Sequence, residues 1–445
     1  MQANGGNIQV EMSNPHALLY ASCKCQKFAN LMSRTMRKFP SSLLRPWNII
    51  LYNDEANVGN RLKQDNKRTL VAVYWSFVEF GPVALSKEDF WMVAATVKAN
   101  TVHKVDAGIS QVLAEQLKCM FEEDGRNFRL AGTLVELPDS TPRVFAKFRA
   151  MFGDESALHQ AWNCKGASGV KLCVQCFNIV SSNWKAADEV DGGPDSFFKL
   201  YTHQDEIDPR GLHTKATIAA IQASLDHDKP LLSKKAFEAK GTALGFSFTR
   251  AGLLKQRALV EHVDPCTQNV YDWPHTILQG VLPQILYQFF RSISLAGLQA
   301  CAQAHAYLQL WSWPRAVGGE GATAKEIFNP KRVASDAKAK TIKLQMSEGL
   351  SLFPVLQHWV RQTIVPSGSH AEATEAMLAW LDFIELLYYQ ARANVTPAEF
   401  TAASTRFLRL AKQAFGTEWM IPKAHFQLHF GKYLEDFFFA FSRTA

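Results

Sequence analysis

WNIILYND, residues 47–54, followed by TLVAVYWSFVEF, residues 69–80, decides the fold class. The first stretch is a short apolar run that ends in Asn53 and Asp54, and it reads as a buried strand running into a polar tip. The second is long, β-branched and aromatic, as a central strand or hairpin is. A linker rich in Asn, Gly and Lys separates them. Upstream, residues 1–45 have a helical texture, turn basic at Arg34, Arg37 and Lys38, and close at Pro40 and Pro46. Downstream, 105–123 has helical spacing, 128–137 has strand character, and 144–152 forms a further strand leading into Gly153 and Asp154. Strands with interspersed helices and acidic strand ends predict an α/β layer fold over 46–185.

Beyond 185 the texture changes. A polar link, ADEVDGGPD (187–195), leads into helical periodicity at 213–225, 276–310, 349–364, 371–393 and 397–415. This predicts an all-α region over 186–415. A basic, strand-poor stretch at 329–343 interrupts it, carrying Lys331, Arg332, Lys338, Lys340 and Lys343. The final unit, 416–445, starts a helix at Pro422 and continues with an aromatic face (KAHFQLHFGKYLEDFFFAF). No internal repeat or low-complexity segment stands out.

With 445 residues, 47% of them hydrophobic, the chain can bury a large core. Its length corresponds to two or three domains. The charge, 48 Lys and Arg against 41 Asp and Glu, is compatible with a polyanionic partner without requiring one. MQANGGNIQVEMSNPH at the start lacks the basic and apolar regions of a signal peptide. No uninterrupted apolar stretch of membrane-spanning length exists, so no transmembrane helix is expected. The eight cysteines are therefore expected to be reduced thiols of the cytosol or nucleus. A close pair there points to metal or redox chemistry.

That pair is Cys173 and Cys176, in CVQC. A CxxC tetrapeptide lets two thiolates converge on one ion and forms half of a tetrahedral zinc site; two buried thiols or a redox pair is the other reading. The best remaining ligands are His425 and His429, which at i and i+4 share one face of a helix. Together they make a Cys₂His₂ set, and aromatic packing of the two histidines is the plain alternative. Asp54 and Asp154 each close an apolar run. Two neighbouring carboxylates repel unless a cation sits between them, and two Mg²⁺ ions are the usual resolution in phosphodiester chemistry. Taken singly, an aspartate in such a place is more often a turn or helix cap, and spacing alone does not choose these two.

The segment GDESALHQAWNCKGASGVKLCVQCFN (153–178) resembles the second-aspartate block of the CACTA/Chapaev-like DDE transposases, relatives of the V(D)J recombinase catalytic core. In that family the second catalytic Asp precedes a CxxC across a small-residue stretch. Here Asp154 lies 19 residues before Cys173, with Ala167, Ser168 and Gly169 between. LYNDEANVGN (51–60) resembles the first-aspartate block, DWPH (272–275) the DxxH signature, and PKAHFQLHF (422–430) the histidine element that completes a zinc site. The resemblance implies an RNase H-like mixed sheet interrupted by a large all-α insertion. It implies Asp54, Asp154 and a downstream Glu binding Mg²⁺ (or Mn²⁺), with His275 near the active site and Zn²⁺ on Cys173, Cys176, His425 and His429. It also implies double-stranded DNA, the transposon ends, as partner, a homodimer, and a nuclear location.

The third carboxylate is where the pattern fails. In the family that Glu lies well beyond the last zinc histidine, and here its place falls past Ala445. Glu435 and Asp436 come too early, and Ser442 stands in what reads as a degraded remnant of the motif. Glu326, Glu348 and Glu385 precede the histidines, and Glu348 is the best of these three. The expectation is a chain truncated or degraded at its C-terminus, with strand cleavage impaired. A catalytically inactive, domesticated DNA- or chromatin-binding protein on the same scaffold is the alternative, and an unrelated zinc-stabilised enzyme with a helical lid is a third. The basic stretch 329–343 and the Arg and Lys of 61–68 are the candidate phosphate contacts.

Overall fold

The 47–54 run does become a strand, and a longer one than its apolar part. In the computed structural model, which describes residues 1–3, 6–57, 69–122, 127–182, 200–205, 211–389 and 395–442, strand β1 spans Trp47–Asn57. It pairs antiparallel with β2 (Thr69–Phe77), from Ile49 opposite Phe77 to Asn57 opposite Thr69. The polar residues 53–57 stay extended because β2 supplies partners for their backbone groups, whatever their side chains prefer. β2 pairs antiparallel with β3 (Met92–Lys98). On the other side of β1 lies β4 (Ala146–Gly153), parallel to it from Trp47 opposite Ala146 to Tyr52 opposite Phe152. β5 (Asn269–Tyr271) extends the parallel part beside Met151, Phe152 and Gly153. The result is a five-stranded mixed sheet in the order β5-β4-β1-β2-β3, in a protein of mixed α/β class.

β1 is covered on both faces: Ile49, Ile50 and Leu51 are all buried. A strand buried on both faces is uniformly apolar, and that is why WNIILY does not alternate. Trp47 and Trp75 meet Phe77 edge to face, with centroids 5.1 and 5.5 Å away. Glu79 closes this end of the sheet by accepting from the Asn48 backbone N–H at 3.0 Å and from Asn48 Nδ2 at 2.7 Å. Burial raises its carboxyl to about 7, against hydrogen bonds from Asn48 that pull the other way. The folded value thus lies above the unfolded one, so the associated stability is full below about pH 4.5 and is lost as pH rises through 7. Denaturant titration of Glu79→Gln is expected to remove this slope. Between pH 5 and 8 the wild type should lose up to about 3 kcal/mol that the variant does not.

Two compact units emerge. The first comprises Met1–Asn178 with Gly211–Tyr271 and holds the whole sheet. Its helices are α1 (Pro15–Ser22), α2 (Gln26–Lys38), α3 (Ile109–Phe121), α4 (Glu155–Trp162), α5 (Lys215–Asp228) and α6 (Lys234–Leu244). The strand expected over 128–137 shrinks to Thr133–Leu134, paired with Arg143–Val144. Asn127 is the cause: its Oδ1 accepts from the N–H of Arg129 and Leu130, its carbonyl accepts from Ala131 and Gly132, and Gly132 takes a φ of 63°. That closes a turn where extended backbone was expected.

The second unit comprises Ile179–Arg210 with Asp272–Ala445. It is built of α7 (Leu282–Ser292), entered through a π-helical turn at Pro274–Val281, then α8 (Ala300–Leu310), α9 (Pro330–Ala339) and α10 (Met346–Trp359). α11 (Ala371–Tyr389) and α12 (Pro397–Phe415) follow, then α13 (Pro422–Phe426) and α14 (Phe430–Ser442). α12 begins with a capping box, Thr396 with Glu399, and Pro397 in its first turn; Phe383 of α11 meets Phe400 of α12 at 4.9 Å. The region read as wholly helical over 186–415 therefore differs in two places. Residues 211–271 cluster with the sheet unit, and Tyr201–Thr202 pairs in parallel with Ile179–Val180. Among the described residues no helix is long and apolar enough to cross a membrane.

Candidate carboxylate cleft and metal centre

β1 and β4 are adjacent and parallel, and their last paired residues are Tyr52 and Phe152. Two residues further along each strand stand Asp54 and Asp154. Both line one small cleft of about 90 Å³ with Asn53, Glu55, Val71, Ile109, Ser156, Ala157 and Gln160. Asp154 is also the N-cap of α4: its Oδ1 accepts from Ala157 N at 2.7 Å. The cap takes one oxygen and holds the carboxylate in a single orientation. Asp54 Oδ1 accepts from the Glu55 N–H at 2.8 Å. Hard oxygen donors of this kind suit Mg²⁺ or Mn²⁺. The cleft acids do not form a ready group of three converging carboxylates among the described residues.

His275 is not among the residues lining that cleft. It lies in the second unit, where its Nδ1 is 2.8 Å from Asp272 Oδ2 and its carbonyl accepts from Lys423 Nζ at 3.1 Å. Glu348 is committed elsewhere: it is buried, paired with Arg332 through both oxygens at 3.0 and 3.2 Å, and accepts from Gln345 N at 2.8 Å. Glu385 accepts from Gln357 and Glu326 from Asn329. Asp436 pairs with Lys432, and Glu435 is exposed. In the stretch 329–343, Lys331, Lys338, Lys340 and Lys343 are exposed, whereas Arg332 is held by Glu348. The basic residues of 61–68, the link 187–195 and the side chain of Ser442 lie outside the described residues.

The cysteine half of the zinc prediction sits in a loop pinned from behind. His213 N donates to Gln175 O at 2.7 Å, Phe177 N to Gly211 O at 2.9 Å, and Gln175 Nε2 to Cys266 O at 3.1 Å. The histidine half turns on α13 and the 3₁₀ turn Gln427–His429, with the two rings 5.1 Å apart and nearly perpendicular. The ligand atoms of Cys173, Cys176, His425 and His429 all lie within 4.8 Å of one another, and all four residues are buried. A tetrahedral Zn²⁺ with sulfur and nitrogen ligands places its donors about 3.3–3.8 Å apart. The set therefore fits zinc in number, kind and spacing, and it is the one such group of His, Cys, Asp and Glu among the described residues.

Sequence reasoning missed several residues around these sites. Burial holds His159 down to about 4, with the charges of Cys173 and Asp154 opposing the shift. His213 is likewise held at about 4 by burial and by Lys171. Gly166, at φ 53°, packs so closely on His159 that a Cβ there would come within 2.2 Å of Nδ1. Gly166, just ahead of the small-residue stretch, is thus required by a close approach, a signal visible in sequence only as smallness, whereas Ala167 and Ser168 are exposed. No protein-family model matches the chain, and no curated protein matches it.

Proposed function

We propose that this protein is derived from a DDE DNA transposase, with an RNase H-like domain whose two-metal site is built on Asp54 and Asp154. The observation that carries the reading is the placement of these two aspartates, Asp54 on β1 and Asp154 just past the end of the neighbouring parallel β4, beside one cleft. The strand order supports it: an antiparallel β1-β2-β3 meander continued on the other side of β1 by parallel β4 and β5. So does the Cys₂His₂ set, which would hold Zn²⁺ and serve the fold. On this reading the helices between Asp272 and Phe415 would belong to the helical insertion.

Bound there, Mg²⁺ or Mn²⁺ supplies activation of water and stabilisation of a leaving oxygen. The chain's own part is positional. The α4 cap fixes Asp154, and the β1–β2 ladder fixes Asp54 opposite Ala72. The exposed lysines of 329–343 would contact the phosphate backbone, which positions a duplex without reading its sequence. By the same resemblance the protein acts as a homodimer on transposon ends in the nucleus.

Glu348's commitment to Arg332 favours a second reading, a catalytically inactive DNA- or chromatin-binding protein on this scaffold. One experiment separates the two. The purified chain is incubated with Mn²⁺ and a nicked terminal-repeat duplex at two salt concentrations. The nuclease gives metal-dependent strand cleavage, whereas the inactive form binds duplex with a steep salt dependence and cuts nothing. Binding of neither kind would sink both.

A further inference from the structure

We propose that the surface formed by the turn 42–45, Leu130 and the paired residues Leu134 and Arg143 is a docking site for an acidic amphipathic helix of a partner protein. It belongs to the sheet unit and does not depend on the reading of the carboxylate cleft. Four leucines are exposed on it: Leu43 by 47%, Leu44 by 90%, Leu130 by 57% and Leu134 by 46%. Three arginines accompany them, Arg45 and Arg143 exposed and Arg129 half-buried.

Hydrogen bonds join these residues into one surface. Ser42 N donates to Arg45 O at 3.2 Å and Arg45 N to Ser42 O at 3.1 Å, which closes a tight turn with Leu43 and Leu44 at its tip. Such tips favour Gly, Asn, Asp and Pro, so two leucines there hold apolar surface in water against the usual preference. Arg129 Nη1 donates to Leu43 O at 2.6 Å, which brings the adjoining Leu130 to the turn. Arg143 Nη1 donates to Ala131 O at 3.2 Å, and Arg143 stands directly opposite Leu134, so those two share one face of their short ladder. Leucine and arginine are thus interleaved along the surface.

Among the described residues none of the three arginines makes an ion pair. Of the acids on the adjoining hairpin, Glu136 is engaged by Lys24 and Asp139 is exposed. Burial, Arg149 and Arg129 hold the Lys147 ammonium below its usual range against a smaller pull from Glu79, so the field here is positive. The occupant must therefore carry negative charge and apolar side chains together. A nucleic-acid backbone has the charge but buries no leucine. A bilayer requires the leucines gathered at one insertion tip, whereas Leu130 and Leu134 lie among the arginines. A second copy in two-fold contact would set arginine against arginine. A helix with a leucine stripe flanked by Glu or Asp meets both demands, its carboxylates taking the guanidinium forks.

The test uses the full chain and a fluorescein-labelled peptide of about 18 residues, Leu at helical spacing and Glu elsewhere. Anisotropy is expected to give a Kd on the order of 10 µM, with polyglutamate of equal length at least about tenfold weaker. Leu44→Ser, at a site 90% exposed, should weaken the peptide about tenfold. Arg129→Gln with Arg143→Gln should do the same and flatten the salt dependence. If that double variant does not fold, Leu44→Ser carries the test. Polyglutamate binding as tightly as the leucine-bearing peptide, or a peptide Kd unchanged by Leu44→Ser, overturns the proposal. Anionic vesicles that bind more tightly than the peptide and are lost in Leu44→Ser assign the surface to a membrane. A DNA duplex lost in the arginine variant while the peptide is kept assigns it to nucleic acid, and either result overturns the proposal as well.

Discussion

Replacing Cys173 with serine is expected to strip the protein of one tightly held zinc and to lower its melting temperature by at least about 10 °C. The four donors are buried and converge within 4.8 Å, so without the ion a thiolate pair and two imidazoles would face one another with no charge between them to hold them. Zinc binding of this type releases of order 10 kcal/mol in small zinc domains, and where the ligands form only on folding that energy is folding energy. Metal analysis of purified wild type should give about one zinc per chain. His425→Ala should lose it as fully as Cys173→Ser, because three ligands do not close a structural site. Cys25→Ser, an exposed thiol outside the set, should keep it. Zinc retained by Cys173→Ser, or absent from well-folded wild type, would dismiss the centre.

A second large effect is expected at Asp154, where the helix cap and the proposed cation-binding role overlap and two substitutions separate them. Asn caps a helix about as well as Asp, whereas Ala loses about 1 kcal/mol of cap. Asp154→Asn should therefore keep the hydrogen bond from Ala157 N and the wild-type melting temperature. On the proposed two-metal reading its Mn²⁺-dependent strand cleavage should still fall by at least about 10²–10³-fold, since the lost charge would be what binds the cation. Asp154→Ala should lose the same activity and also melt earlier. Equal cleavage by wild type and Asp154→Asn would reduce this residue to a helix cap. The same comparison at Glu348 should show stability alone. Glu348→Gln leaves Arg332 half-paired on a buried partner and is expected to destabilise by about 3 kcal/mol, with cleavage unchanged for the folded fraction.

Much of this was visible from residues 47–80 and from four ligand positions. WNIILY reads as a buried strand and the β-branched run after it as a central strand or hairpin, and the two pair as β1 and β2. Cys173 with Cys176 and His425 with His429 paired by local spacing on each side. Helices over 105–123, 371–393 and 397–415 followed from periodicity, with errors of a few residues at their ends. Three features were not visible, each for its own reason. β5 is three residues long, too short for any period to show, and only the neighbouring edge of β4 makes it a strand. The 127–132 turn hid behind β-favouring neighbours, because one buried asparagine closes it with four hydrogen bonds. Glu348, the best internal candidate for a third carboxylate, is half of an ion pair whose partner stands 16 residues earlier.

Local pattern by itself determined the α/β class, the strand bearing Asp54, the helical periodicity of the second half and the two close pairs, Cys173 with Cys176 and His425 with His429. All of these depend on interactions within a few residues along the chain. Tertiary structure alone decided that Asp54 and Asp154 share a cleft and that β5 pairs with β4. These depend on which strands become neighbours. A hundred residues separate the two aspartates, and only the parallel register of β1 on β4 brings them level.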